Sequence, residues 1–133
     1  MIKTVSLETA KLLKDAGFEH QCDFWWESIK GMTETKWMLC FKGDHQPYLS
    51  NLIELIKAPT ADELLEELPT DQYEIYIGND CKQYHIGFNR AYGHHSEQQC
   101  RDSYFADSSL VEAVAKLWLW LKKENLLKSP NAD

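Results

Sequence analysis

The sequence of 133 residues lacks the features that mark several common classes of protein. It contains no run of about 18 apolar residues, so no membrane-spanning helix is expected. It contains neither a G-x-G-x-x-G segment nor a Walker-type loop, so the standard glycine-rich loops that bind nucleotide phosphates are excluded. Lysine and arginine form no cluster of the kind that binds a phosphate backbone, so direct binding to long nucleic acid is not expected.

The cysteines and the N-terminal stretch bear on the cellular compartment. The four cysteines include no C-x-x-C pair, and MIKTVSLETAKLL lacks the continuous apolar segment of a signal peptide. We therefore expect reduced thiols and a cytoplasmic location.

Basic residues are missing from one part of the chain. Between Thr60 and Asp80 there are seven acidic residues and no Lys or Arg, whereas the rest of the chain has fourteen residues of each sign. Local charge steers association, so this segment is either a solvated helix face or a negative surface. Such a surface would bind a basic protein partner or imitate the charge of nucleic acid. The partner-binding hypothesis uses the carboxylates of Asp62, Glu63, Glu66, Glu67 and Asp71.

The first predicted helix begins at Ser6. Its apolar positions are Ala10, Leu12 and Leu13, and Gly17 is placed to end it, as a glycine just past the last turn commonly does.

Two further helices are predicted from capping boxes. Thr60 and Glu63 stand three residues apart before a leucine-rich stretch that Pro69 ends, and Ser109 and Glu112 open the last helix.

The last helix, Ser109 to Leu127, has an apolar stripe at three- and four-residue spacing. Trp118 lies in that stripe, so we expect it in the core. Trp120 lies about 200° away around the helix and must be covered by a loop, a neighbouring element or another chain. Trp120 therefore joins the partner-binding hypothesis, and a homodimer stays open.

Several stretches are rich in aromatic and β-branched residues, as strands are. The segment LSNLIELIKAP between them favours a short helix instead. The predicted strands are Cys22–Glu27, Thr35–Phe41, Tyr73–Gly78, Gln83–Asn89 and a short one at Ser103–Ala106.

The order of these elements predicts the fold class. Strands joined as hairpins, the second around the turn-favouring pair Asn79-Asp80, favour an antiparallel sheet. We expect a single α+β domain over residues 1–128, with a sheet of about 4–5 strands and about three helices packed on one face. Residues 129–133 are expected to be a disordered tail.

Aromatic side chains are plentiful, with five Trp, six Tyr and five Phe. Alternation along the strands places some of them on faces opposite the predicted core. Aromatic rings on an open sheet face can stack a base or a nucleotide ring, unless a second layer or a dimer partner covers them. The ligand-binding hypothesis comprises Trp25, Tyr76, His85, Arg90, His94 and His95.

Two groups of His and Cys residues are further candidates for chemistry. His94, His95 and Cys100 have the spacing H-H-x4-C, which is not a recognised spacing of zinc ligands. His20 and Cys22 are two residues apart, but no helix start or glycine-rich turn adjoins the thiol to activate it. No catalytic residue, metal or cofactor is assigned, and an enzyme is the less favoured class.

Three segments resemble small uncharacterised proteins encoded by tailed phages and prophages. They are Val5–Phe18, Ala58–Pro69 and Glu112–Leu127, about a third of the chain. The segments hold helix caps and leucine faces, and the group has no catalytic residues to carry over. The resemblance implies a phage or prophage context and a location in the host cytoplasm.

Two functions therefore stand as hypotheses. The first is a non-enzymatic phage-type accessory protein that binds a host protein through the acidic segment, with inhibition of host defence as a special case. The alternative is a protein that binds or sequesters a small ligand of nucleotide type on its aromatic sheet face. A metal-dependent enzyme using His94, His95 and Cys100 is a third, less favoured hypothesis.

Overall fold

The structure is a computed structural model that describes residues 3–30, 35–41, 53–68, 75–80, 82–88 and 104–127. Its helices are α1 (Leu7–Asp15), α2 (Ala61–Leu65) and α3 (Leu110–Lys123). Its strands are β1 (Phe24–Lys30), β2 (Thr35–Phe41), β3 (Ile53–Lys57), β4 (Ile75–Asn79), β5 (Tyr84–Phe88) and β6 (Phe105–Asp107).

The described strands form two antiparallel sheets of three strands each. The first has the order β2-β1-β3 and the second the order β4-β5-β6. The α+β class is thus confirmed, whereas one sheet of four or five strands with the helices on one face is not. The predicted single domain over residues 1–128 stays a prediction.

The strand β3 replaces a predicted helix. Residues 53–57 pair antiparallel with β1, so that Ile56 lies opposite Trp26. Ile56 is almost fully buried in the core. Pairing with a central strand and burial of a β-branched side chain outweigh the weak helical pattern of the isolated segment.

Helix α1 begins and ends where its sequence predicts. The Ser6 hydroxyl accepts a hydrogen bond from the backbone N–H of Thr9, and Gly17 has a φ of 94°, a conformation that favours glycine. Ala10 and Leu13 are buried. Leu12, predicted on the apolar face, is instead exposed, because it points away from the side of the helix that contacts β3 and α3.

Helix α3 forms the centre of the core. It packs against β5, β6 and α2, and Trp118 on its buried side is 2% exposed, as predicted. Trp120 is half-buried and packs at the edge of the same core. Fully buried residues around α3 include Val114, Leu117, Leu121, Leu13, Leu64 and Ile86.

The predicted capping box of α3 is wrong. The Ser109 side chain makes no capping hydrogen bond. The backbone N–H of Ser109 donates a hydrogen bond to the carboxylate of Asp107 at 2.9 Å. That bond, together with Lys116, lowers the pKa of Asp107. Glu112 instead reaches the start of α1, where it accepts from the Thr9 hydroxyl at 2.6 Å and the Ser6 N–H at 3.2 Å. The last helix thereby caps the first.

No helix among the described residues is long and apolar enough to cross a membrane.

Candidate functional site

Tyrosine and histidine side chains meet on one face of the second sheet. In the ladder Tyr76 lies opposite Gly87, and His85 lies opposite Gly78 on one side and Ala106 on the other. Alternation along the strands therefore puts Tyr76 and His85 on the same face. This face is opposite to that of Ile86, which is fully buried. The sequence-based placement of Tyr76 and His85 is thus confirmed.

The same alternation predicts that Ile77 is buried with Ile86, and here the structure differs. The two residues are cross-strand partners, but Ile77 is 43% exposed. Helix α3 packs on β5 and β6. The core-facing side of β4 extends beyond the helix, and Ile77 is exposed for that reason.

A chain of hydrogen bonds runs from Asp80 through His85 to Tyr104. His85 Nε2 lies 2.9 Å from Asp80 Oδ2, and the Tyr104 hydroxyl is hydrogen-bonded to His85 Nδ1. The rings of His85 and Tyr104 are stacked, with centroids 5.5 Å apart and planes 26° apart. Carboxylate, imidazole and phenol are therefore held in a fixed order.

Two backbone hydrogen bonds hold the carboxylate of Asp80 in place. Its Oδ1 accepts hydrogen bonds from the backbone N–H groups of Lys82 at 2.8 Å and Gln83 at 2.9 Å. The hydrogen bond with His85, followed by these two backbone bonds, lowers the pKa of Asp80 to about 2. Asp80 is therefore an anion at neutral pH, and its carboxylate accepts a hydrogen bond from a protonated ring nitrogen of His85.

The ionised carboxylate determines the tautomer of neutral His85. Since Asp80 can only accept, Nε2 carries the proton and Nδ1 is left as an acceptor. The Tyr104 hydroxyl must then donate to Nδ1. Its oxygen keeps its remaining lone pairs for another partner.

Tyr76 completes the aromatic surface. Its hydroxyl lies over Gly78, so close that a Cβ atom at that position would collide with it. Tyr76 and Tyr104 are nevertheless 54% and 50% exposed. Two half-exposed rings thus lie on the face that holds His85, above small residues of the sheet.

Shielding of strand glycines accounts for part of this arrangement. Aromatic side chains over cross-strand glycines stabilise sheets without any ligand. That role needs only the ring of Tyr76, whose cross-strand partner is Gly87. It does not require a hydrogen-bonded imidazole and an oriented carboxylate at the surface, where such a pair adds little stability.

The hydrogen bond with His85 gives a testable pKa. We expect the Asp80 carboxyl to titrate near 2, and His85→Ala to raise its pKa towards the ordinary 3.8, because the largest cause of the shift is removed. Carbon-detected NMR of the carboxyl group measures both values. The contribution of Asp80 to stability is present above the unfolded-state pKa of 3.8 and is lost as the pH falls through about 2. An unchanged pKa in the variant would contradict the contact.

The acidic residues of α2 and the turn after it make contacts within the chain. Glu63 accepts from the Thr60 N–H at 2.8 Å, which confirms the predicted capping box, and from the Asp23 N–H at 3.1 Å. Glu66 and Glu67 lie 3.1 and 3.5 Å from the two ring nitrogens of His20. Glu63 thus has a structural role in capping α2, whereas Glu66 and Glu67 face His20.

Glu67 makes a second contact within the chain, and the partner-binding hypothesis also includes Asp62 and Asp71. Glu67 also accepts from the indole Nε1 of Trp118 at 2.8 Å. Asp62 is exposed on the first turn of α2. Asp71 lies outside the described residues, so the partner-binding surface stays a prediction.

Of the remaining candidates for the ligand site, Trp25 lies in a different sheet from Tyr76 and His85. Trp25 belongs to the first sheet, where it pairs with Cys40 and Lys57. The other three residues of the hypothesis, Arg90, His94 and His95, lie outside the described residues, as does Cys100. Among the described residues no three His, Cys, Asp or Glu side chains are grouped to hold a metal ion.

The thiol of Cys22 is not an activated nucleophile. It is half-buried and donates to the backbone carbonyl of His20 at 3.4 Å. Burial, and next the nearby carboxylate of Glu63, raise the pKa of the Cys22 thiol to about 12. The thiol therefore stays protonated at neutral pH.

Tyr104 and Asp80 are the residues that sequence reasoning missed. Asp80 stands out in the sequence as a turn residue, and its spacing to His85 across a tight hairpin could have indicated the contact. Tyr104 immediately precedes β6, and no local pattern reveals the pairing of β6 with β5 that brings Tyr104 to His85.

Comparison of this chain with protein-family models, with curated proteins and with solved structures finds no match.

Proposed function

We propose that this protein binds a small ligand with a planar ring on the face of the second sheet that carries Tyr76, His85 and Tyr104. The observation that carries the proposal is the preformed chain Asp80–His85–Tyr104 beside two half-exposed rings. Rings supply stacking surface, and the polar chain supplies an acceptor of fixed direction. Because both are held in place beforehand, little ordering is needed on binding.

The ligand class follows from the groups available. The Tyr104 hydroxyl donates to His85, so its oxygen offers lone pairs to an N–H or O–H group of the ligand. A nucleobase or a similar heteroaromatic ring carries such donors on a stackable plane. This supports the nucleotide-type ligand over a purely apolar one.

Ring removal tests the binding. In a calorimetric titration with a panel of nucleosides and nucleotides, Tyr104→Ala and Tyr76→Ala should each weaken binding about 5- to 160-fold, because base–aromatic stacking contributes about 1–3 kcal/mol. Met38→Ala is the matched control, since Met38 is 55% exposed on the first sheet. If no panel member binds, or if all three variants bind alike, the proposed function is wrong.

Binding of a host protein is a second proposal, supported by the edge strand β2. Among the described strands β2 lies at the edge of the first sheet, and Met38, Leu39 and Phe41 are exposed along it. A hydrophobic edge strand is a ready surface for strand addition by a partner. The resemblance to phage proteins supplies the context for a host partner and for inhibition of host defence.

Plating efficiency separates the two proposals. If the protein inhibits a host defence, its expression should raise the plating of a restricted phage, and Met38→Lys should abolish the effect while Tyr104→Ala retains it. The opposite pattern would assign the effect to the aromatic site.

A further inference from the structure

We infer that Tyr104 is an activated nucleophile, with His85 as its general base, that accepts the acyl group of an activated ester. The inference concerns the same surface as the proposed ligand site but goes beyond binding. It does not depend on which ligand binds there.

The geometry contains the three parts that nucleophile activation needs. The nucleophile, Tyr104, is hydrogen-bonded to the base, His85, and the base is oriented by a third group, Asp80 at 2.9 Å. This is the relation seen in a Ser-His-Asp triad, with phenol in place of the serine hydroxyl and with the two imidazole nitrogens exchanged. Asp80 is fixed in turn by two backbone N–H groups.

Access to the nucleophile is the second requirement. Tyr104 is half exposed, and Gly78 and Ala106 flank His85 on the neighbouring strands. A small reagent can therefore approach the phenol oxygen while the proton faces His85. The stacked rings keep the phenol and the imidazole side by side.

Acyl transfer to Tyr104 proceeds through a tetrahedral adduct. The phenol oxygen attacks the carbonyl carbon of the ester, and its proton passes to His85 Nδ1. The tetrahedral adduct then breaks the bond to the alcohol portion, which leaves as an anion and takes the proton from His85. The products are an aryl ester on Tyr104 and the free alcohol. An aryl ester is itself reactive, so water or an amine can accept the acyl group and restore Tyr104.

Tyr76 provides a control within the same molecule. It lies on the same face with the same degree of exposure. Among the described residues it has no hydrogen bond to an imidazole. Unequal reactivity of the two tyrosines therefore measures the effect of His85 and Asp80.

The experiment uses p-nitrophenyl acetate and the full chain, with peptide mapping of acetylated tyrosines over time. General-base assistance contributes about 10²- to 10⁴-fold in enclosed sites. At this open surface, where water competes for the same hydrogen bonds, we expect a smaller effect, with Tyr104 acetylated about tenfold faster than Tyr76. His85→Phe keeps the stacked ring without the base and should reduce the rate at Tyr104 to that at Tyr76. His85→Gln serves the same purpose if the first variant fails to fold.

The outcomes separate this inference from the ligand-binding proposal. Equal acetylation of Tyr104 and Tyr76, or a rate at Tyr104 that neither His85 variant lowers, overturns the inference. The assay contains no nucleotide, so a ligand panel without a hit leaves its result unaffected. Conversely, binding that depends on Tyr104 without preferential acetylation retains the proposed function and removes the nucleophile.

Discussion

Replacing Trp118 by alanine is expected to lower the free energy of unfolding by about 3–5 kcal/mol, the usual cost of deleting a buried aromatic side chain. Trp118 is 2% exposed and packs edge-on against Phe18, with ring centroids 5.4 Å apart. Its indole Nε1 also donates to Glu67 at 2.8 Å, so the variant leaves a half-buried carboxylate without that donor. Chemical denaturation followed by far-UV circular dichroism measures the loss.

Trp118→Phe separates packing from hydrogen bonding. Phenylalanine keeps an aromatic ring at this position but loses the indole donor and part of the buried volume, so we expect a smaller loss of about 1–3 kcal/mol. If Trp118→Ala costs less than about 1 kcal/mol, the value of an ordinary substitution, the central position of α3 in the core is wrong.

The helices could be predicted from sequence because each carries its own local information. The Ser6 cap and Gly17 bound α1, and Thr60 with Glu63 starts α2, as the structure confirms. Such bonds join residues three or four apart, so they are encoded within one turn of the chain.

Long-range partners account for what the sequence could not predict. Glu112 has the spacing of a capping residue for its own helix, but its carboxylate is hydrogen-bonded to Ser6 and Thr9, more than one hundred residues away. Residues 53–57 favour a helix in isolation and become a strand because β1 offers a partner. The choice between local and distant partners depends on tertiary packing, which no window of sequence contains.

The candidate site likewise combines a placement that local sequence predicts with a contact that it does not. Alternation within the β4–β5 hairpin predicts that Tyr76 and His85 share a face. The addition of Tyr104 depends on the pairing of β6 with β5, which places residue 106 opposite His85. Since Tyr104 provides the hydroxyl, the chemistry of the site follows from a contact between strands that are about twenty residues apart.

Replacing Glu63 by alanine is the second substitution expected to have a large effect. It removes the acceptor for both the Thr60 and the Asp23 N–H groups, and thus one half of the capping box and a link from α2 to the start of β1. A helix cap contributes about 0.5–2 kcal/mol, and hydrogen bonds to a charged group about 1.5–3 kcal/mol. We expect a loss of about 2 kcal/mol in the free energy of unfolding, measured by chemical denaturation.

Asp62→Ala is the matched control for Glu63→Ala. Asp62 carries the same charge in the same turn but is exposed, so its loss should be within about 0.5 kcal/mol. Equal losses in the two variants would contradict the structural role of Glu63 and leave only a charge effect at the helix start. The difference also decides how the partner-binding hypothesis can be tested. A charge reversal at Glu63 perturbs the fold together with the surface, whereas Asp62→Lys changes the surface charge alone and reports on a basic partner directly.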